Sequence, residues 1–341
     1  MSRRALSLLL ASLLALGLTL TAAVARVPYV ALGPGPTYNT LGEVDGVPVL
    51  EIDGRRTFPA DGHLDLTTVG VQARLTLAQA LQGWFQRDLA VVPREVVFPP
   101  GRTDEQISEE NAASMVASQS AAVGAAAQQL GLQPEVRVLE LAPDSPAEGR
   151  LRPGDLLTAV DGTDVRNAEE LRELISSREA GKPVRISFER AGRAADVEIR
   201  TRLADGDDER RAVIGVLTEE EYPLDVTINL EDVGGPSAGL MFALGILDKL
   251  GEQSLTGGKY IAGTGEITPD GTVGPIGGIT QKLIASSRKG AVAFLVPEAN
   301  CAEAVANPPD GMTLIKVGSL AEALRGLEAV RSGGSPITCA T

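Results

Sequence analysis

Residues 231–250 read EDVGGPSAGLMFALGILDKL, a glycine-rich turn that runs into an apolar helix and carries Ser237 at the junction. A serine in that place can belong to a phosphate cradle, act as a nucleophile, or simply cap the helix. A Walker A turn needs Lys followed by Ser or Thr after its glycines, and no such pair follows a suitable loop, so no nucleotide site is expected. Gly235-Pro236-Ser237-Ala238-Gly239 fits the G-x-S-x-G spacing of a nucleophile elbow, but that mechanism requires a histidine later in the chain. The single histidine, His63, comes earlier. An order of Asp53, His63 and Ser237 stays formally open. His63 heads an alternating strand, however, and reads as a structural or surface residue.

With histidine set aside, a serine nucleophile needs another base, and lysine is the known option. Residues 264–300, TGEITPDGTVGPIGGITQKLIASSRKGAVAFLVPEAN, supply Lys282 on a helix. Ile279 stands three residues before it and Leu283 and Ile284 adjoin it, so its stem lies at the edge of an apolar stripe, which favours the neutral amine. Each residue also has a plainer reading. Ser237 could be only an N-cap, Lys282 a solvated helix lysine, and Thr264 a strand residue bonded to backbone.

The 341-residue chain is 43% hydrophobic and 22% charged, enough for more than one folded core. Its formal net charge of −14 and lack of a clustered Lys/Arg surface argue against a nucleic-acid partner. After Arg3 and Arg4, residues 5–25 are uncharged and long enough to cross a bilayer as a helix. This predicts a signal anchor over residues 1–27, with the remainder outside the cytoplasm. Ala23-Val24-Ala25 fits a cleavage site, so a removed signal peptide and a secreted protein form the alternative. Cys301 and Cys339 are enough for one disulfide or are two unrelated thiols. Two cysteines and one histidine cannot build a metal site of the zinc type, and no metal or cofactor is expected.

Between the two ends, VPYVALGPGPTYNTLG reads as an extended lead-in, VPVLEI and HLDLTTVGV as strands, and about Thr103 to Leu130 as one long Ala-rich helix. Residues 133–203 form a self-contained unit of strand, turn, strand, capped helix and two further strands. Ala204–Arg211, ADGDDERR, is a charged linker. AVIGVL and LDVTINL read as strands of the domain beyond that linker, and residues 332–341 as a tail that is loose unless Cys339 pins it.

Two resemblances organise these pieces. Ser145–Ala147 (SPA), LRPGD ending at Asp155 and VDG ending at Gly162 fall in the order found in PDZ domains of bacterial exported proteases, which implies capture of extended peptide ends by strand addition. Leu130-Gly131-Leu132 is the best candidate for the carboxylate-binding loop, or else the glycine cap of the long helix. GGPSAG with its apolar helix, TGEIT, GPIGGITQKLIAS and FLVPEAN resemble the Lon proteolytic domain. That resemblance implies Ser237 as nucleophile, Lys282 as general base and Thr264 as hydrogen-bond partner of the lysine. Gly234 stands where many Lon proteins carry Asp. The implied fold is α+β: a Lon-type domain of mixed sheets and helices split into residues 43–132 and 204–331, with a β-barrel-like PDZ domain inserted at 133–203 and a transmembrane helix in front. The implied activity is ATP-independent endopeptidase action on flexible or unfolded proteins, with a homo-oligomer suggested by the family. A peptide-binding adaptor with a vestigial dyad is the alternative.

Overall fold

A computed structural model describes residues 3–204, 211–230 and 233–340; most of the expected linker at Ala204–Arg211 falls outside the described residues, as do Glu231 and Asp232. The chain divides into two units, residues 1–126 with 226–341, and residues 127–225.

The first unit opens with α1 (Arg3–Val24), 22 residues that span about 33 Å at 1.5 Å per residue. Its stretch Leu6–Val24 is long and apolar enough to cross a membrane, and none of it is buried against the protein. The expected lead-in is a strand of the main sheet, β1 (Tyr29–Asn39). It pairs antiparallel with β2 (His63–Gln72), with a register shift between Pro34 and Thr37. That irregularity is how a Gly-Pro-Gly-Pro run is accommodated in a ladder that needs N–H donors. A short helix α2 (Leu77–Trp84), an edge strand β3 (Ala90–Pro93) and the long helix α3 (Asp104–Gln129) complete the first segment.

Within the second unit, β4 (Glu135–Leu141), β5 (Leu156–Val160), α4 (Ala168–Ser176), β6 (Pro183–Arg190), β7 (Arg193–Arg200) and β8 (Val216–Glu221) succeed one another along the chain. The strands form an antiparallel sheet ordered β7-β6-β5-β4-β8 around Val138, Leu157, Leu171, Ile186 and Phe188. Asp155 of LRPGD is buried; burial pushes its carboxyl up, but two bonds from Arg190 and one from the Arg152 amide outweigh this and hold it below the usual range. The stretch AVIGVL, expected after the linker in the next domain, instead lies here: β8 pairs with β4, and Ile214 belongs to this core.

The chain then returns to the first unit with α5 (Gly239–Leu250), β9 (Tyr260–Gly263), α6 (Ile279–Arg288), β10 (Ala293–Pro297), β11 (Thr313–Val317) and α7 (Leu320–Ser332). The main sheet is ordered β11-β10-β9-β2-β1-β3 and is parallel from β11 to β2. Every residue of β10 is buried, the continuous apolar pattern of a parallel strand covered on both faces. In β2 the alternation of Leu64 and Leu66 is present, yet Asp65 and Thr67 on the opposite face are buried too. Gly239 through Asp248 of α5 are all buried, as befits a helix that is apolar all round. Cys301 and Cys339 are joined in a disulfide, and the amides of Lys316 and Cys339 bond Ile337 and Leu314, so the tail lies along β11.

Candidate active site

Ser237 sits in the turn that enters α5, and its position is fixed from both sides. Gly235 adopts φ +87°, a region open to glycine at little cost, and its N–H donates to the Asn111 carbonyl at 2.9 Å. Ser118 donates to the Pro236 carbonyl at 2.9 Å. Both partners lie on α3, seven residues apart and therefore on one face of it. Beyond the serine, the Ser237 carbonyl accepts from the Gly265 amide and from the Thr264 hydroxyl, each at 2.9 Å. A Cβ on Gly239 would lie 2.8 Å from Ile267 and from Ser118, so the helix entry tolerates nothing larger than glycine. Gly234 is less tightly constrained: a side chain there would begin 3.0 Å from Asn111 Cβ, which would have to give way slightly.

Lys282 enters from α6, which begins at Gly278 in the left-handed region (φ 69°). The side chain is only 2% exposed, deeper than the edge of a stripe. Its Nζ donates to Ser237 Oγ at 2.8 Å and to Thr264 Oγ1 at 2.8 Å. Burial lowers its pKa from the ordinary 10.5 to about 7, with no nearby charge contributing. Thr264 is fully buried at the end of β9 and gives its own proton to the Ser237 carbonyl, so its oxygen lone pair is left to face the lysine. The three residues selected from the sequence are thus brought together. His63 is elsewhere, stacked on Tyr260 with ring centroids 4.8 Å apart, and among the described residues no side-chain bond joins Asp53 to His63 or Ser237. Sequence reasoning misses Ser118 and Asn111, because an Ala-rich helix carries no local sign of which face it turns to a loop.

The amides of Ser237, Ala238 and Gly239 meet no protein acceptor among the described residues. They are the orphan donors of a helix start, next to the Ser237 hydroxyl. Alongside, a cavity of about 420 Å³ lies between α3 and residues 233–234, lined by Phe98, Asp104, Ile107, Ser108 and Asn111. Among the described residues no group of His, Cys, Asp or Glu could hold a metal.

The second unit has its own groove, about 690 Å³, between α4 and β8. Leu130-Gly131-Leu132 is no part of it. Gly131 has φ +74° and its amide bonds Gln128, while the Leu132 amide reaches back to Ala127; this is the double bond of a helix C-cap. The glycine loop at the groove is Val213-Ile214-Gly215, which the sequence alone assigns to the next domain. Ser145 of the SPA motif holds it by donating to the Ile214 carbonyl at 3.0 Å.

Comparison with known proteins finds two families, each over part of the chain. Residues 231–327 match the Lon protease (S16) C-terminal proteolytic domain, and residues 113–201 match the PDZ domain. The chain is 42% identical to a Lon protease of Roseiflexus castenholzii over 66 residues, 19% of this chain and 8% of the relative. It is 34% identical to Lon protease 2 of Bacillus subtilis over 103 residues, 29% of this chain and 18% of the relative. Similarity to these relatives therefore spans less than a fifth of their length. The PDZ domain of an SdrC-like protein from Listeria innocua is 30% identical, with 26% of this chain and 96% of that one covered and a TM-score of 0.24. The chain carries a domain of the Lon C-terminal proteolytic type together with a PDZ domain, in a mixed α+β fold.

Proposed function

We propose that this chain is a membrane-anchored serine endopeptidase working by a Ser237/Lys282 dyad, with α1 as the anchor, the two domains outside the cytoplasm, and the PDZ domain selecting substrates by their extended segments. The observation that carries the reading is the buried Lys282 amine, 2.8 Å from both Ser237 Oγ and Thr264 Oγ1. A neutral amine that keeps one N–H on Thr264 can turn its lone pair to the serine. Ser237 Oγ then attacks the peptide carbonyl as its proton passes to Lys282 Nζ. The oxyanion is met by the unpaired amides at the start of α5. Lys282 gives the proton to the leaving amine, the C–N bond breaks, and an ester to Ser237 remains. A water molecule that loses its proton to Lys282 hydrolyses that ester and restores the hydroxyl. The cavity beside Gly234 suits a substrate side chain with an apolar tip, since Phe98 and Ile107 line it. Nothing in this chemistry draws on ATP, and flexible or unfolded segments are the expected substrates.

The test is mass spectrometry of peptides released from an unfolded protein by the full-length chain. The reading requires peptides that accumulate with Ser237 intact and vanish with Ser237→Ala; the same peptides from both proteins contradict it. No peptides from either would return the chain to a peptide-binding adaptor.

The groove carries its own expectation. Gly215 has φ +71°, and a Cβ there would lie 2.8 Å from Ser145 Oγ. Gly215→Val places about 1–3 kcal/mol of strain on the loop, so peptide capture by the PDZ domain should weaken by about tenfold or more. Hydrolysis of a short peptide should persist. Unchanged affinity in a fluorescence titration would remove the groove from the account.

A further inference from the structure

Helix α2 is turned inside out for a helix in water. Its small residues Ala80 and Gly83 face the protein, where a Cβ on Gly83 would lie 2.7 Å from Val91. Its large residues face outward: Leu77, Leu81 and Trp84 are 37%, 43% and 55% exposed, and Phe85 just beyond is 88% exposed. Leu77, Leu81 and Trp84 fall at i, i+4 and i+7 and share one face. Single exposed apolar residues are ordinary, but a contiguous face of this kind marks an interaction surface.

The neighbouring chain indicates what covers it. Directly after α1, Arg26–Val27 pairs antiparallel with Leu75–Thr76. The amide of Leu77, the first residue of α2, donates to the carbonyl of Ala25 at 2.9 Å. The start of α2 is therefore tied to the end of the apolar helix. With α1 across a bilayer, Val24 lies where hydrocarbon gives way to headgroups, and α2 is held at that depth. The helix itself is uncharged, whereas Arg26, Arg74 and Arg87 flank it, exposed and without a carboxylate partner among the described residues. Three free cations beside an apolar face, in a chain of net charge −14, suit anionic headgroups.

We infer that α2 is a second membrane contact, with Leu77, Leu81, Trp84 and Phe85 inserted at the headgroup–acyl boundary of anionic phospholipid. The inference rests on α1 being an uncleaved anchor. Trp84 is the single tryptophan of the chain, so its fluorescence reports on this face alone. The experiment reconstitutes the full-length chain into phosphatidylcholine/phosphatidylglycerol vesicles in which one lipid carries bromine at a chosen depth.

The expected result is flotation with the vesicles and strong quenching of Trp84, greatest for bromine about 5–10 Å below the surface. The Leu81→Ser/Phe85→Ser variant should float equally and lose most of that quenching. Flotation with Trp84 unquenched at every depth overturns the docking while leaving the anchor intact. Trp84 shielded from aqueous iodide yet untouched by bromolipid assigns the face to a second copy and overturns it as well. Protein left in the aqueous phase overturns anchor and docking together.

Discussion

Ser237→Ala and Lys282→Met are each expected to lower hydrolysis of an unfolded protein by roughly four to six orders of magnitude, and the double variant no further. The reason is geometric. Lys282 Nζ is the hydrogen-bond partner of Ser237 Oγ among the described residues, so no second base stands beside the hydroxyl. Without the lysine, the hydroxyl must attack with its proton in place. Without the Ser237 hydroxyl, the alcohol left beside the amine is that of Thr264, which is fully buried and gives its proton to the residue 237 carbonyl. What survives in either variant is the stabilisation given by the amides at the head of α5, which both lack the means to exploit fully. Initial rates of peptide release for the two single variants and the double variant measure this. Losses that multiply in the double variant would mean that the two residues act separately.

Lys282→Met should also make the protein more stable, and by an amount that depends on pH. The gap between 10.5 and about 7, at 1.36 kcal/mol for each pH unit, sets the cost of the buried ammonium at about 5 kcal/mol. Below pH 7 the amine is protonated in both the folded and the unfolded chain, and the whole cost falls on the folded state. Between pH 7 and 10.5 the unfolded chain binds the extra proton, so the stability of the native protein rises with pH. Above 10.5 the amine is neutral in both states and the cost is gone. The advantage of methionine should therefore be a few kcal/mol below pH 7 and fade toward pH 10.5, reduced throughout by the two lost hydrogen bonds. Urea unfolding of both proteins across that range reads it directly. A constant difference, or a destabilised variant at acidic pH, would place a charged partner beside the lysine. In the proposed mechanism the base thus lowers the stability of its own fold, a common cost of function.

Much of the site is legible in the chain because the chemistry is written in short, ordered motifs. GGPSAG, TGE and the GGITQK stretch place Ser237, Thr264 and Lys282 on a turn, at a strand end and on a helix; the lack of a later histidine points to lysine, and the resemblance to the Lon proteolytic domain selects the three residues. Partners supplied by distant segments are not legible in the same way. Ser118 and Asn111 lie inside a helix whose composition hides its packed face. AVIGVL looks like the start of a new domain because a charged linker precedes it, yet Val216–Glu221 returns to pair with Glu135–Leu141. Tyr29–Asn39 looks like a lead-in because glycine and proline argue against a strand; the register shift after Pro34 is what lets it pair. Leu130-Gly131-Leu132 fits both a ligand loop and a helix cap, and only the backbone bonds of Gly131 and Leu132 distinguish them.

The mechanism turns on the Lys282 amine, whose titration can be followed directly. With lysine labelled at Cε and Nζ, the signal absent from Lys282→Met identifies the residue in a heteronuclear NMR titration of the full-length chain. The expected midpoint is near pH 7. A midpoint near 10.5 would mean a solvated ammonium beside Ser237 and would contradict the mechanism.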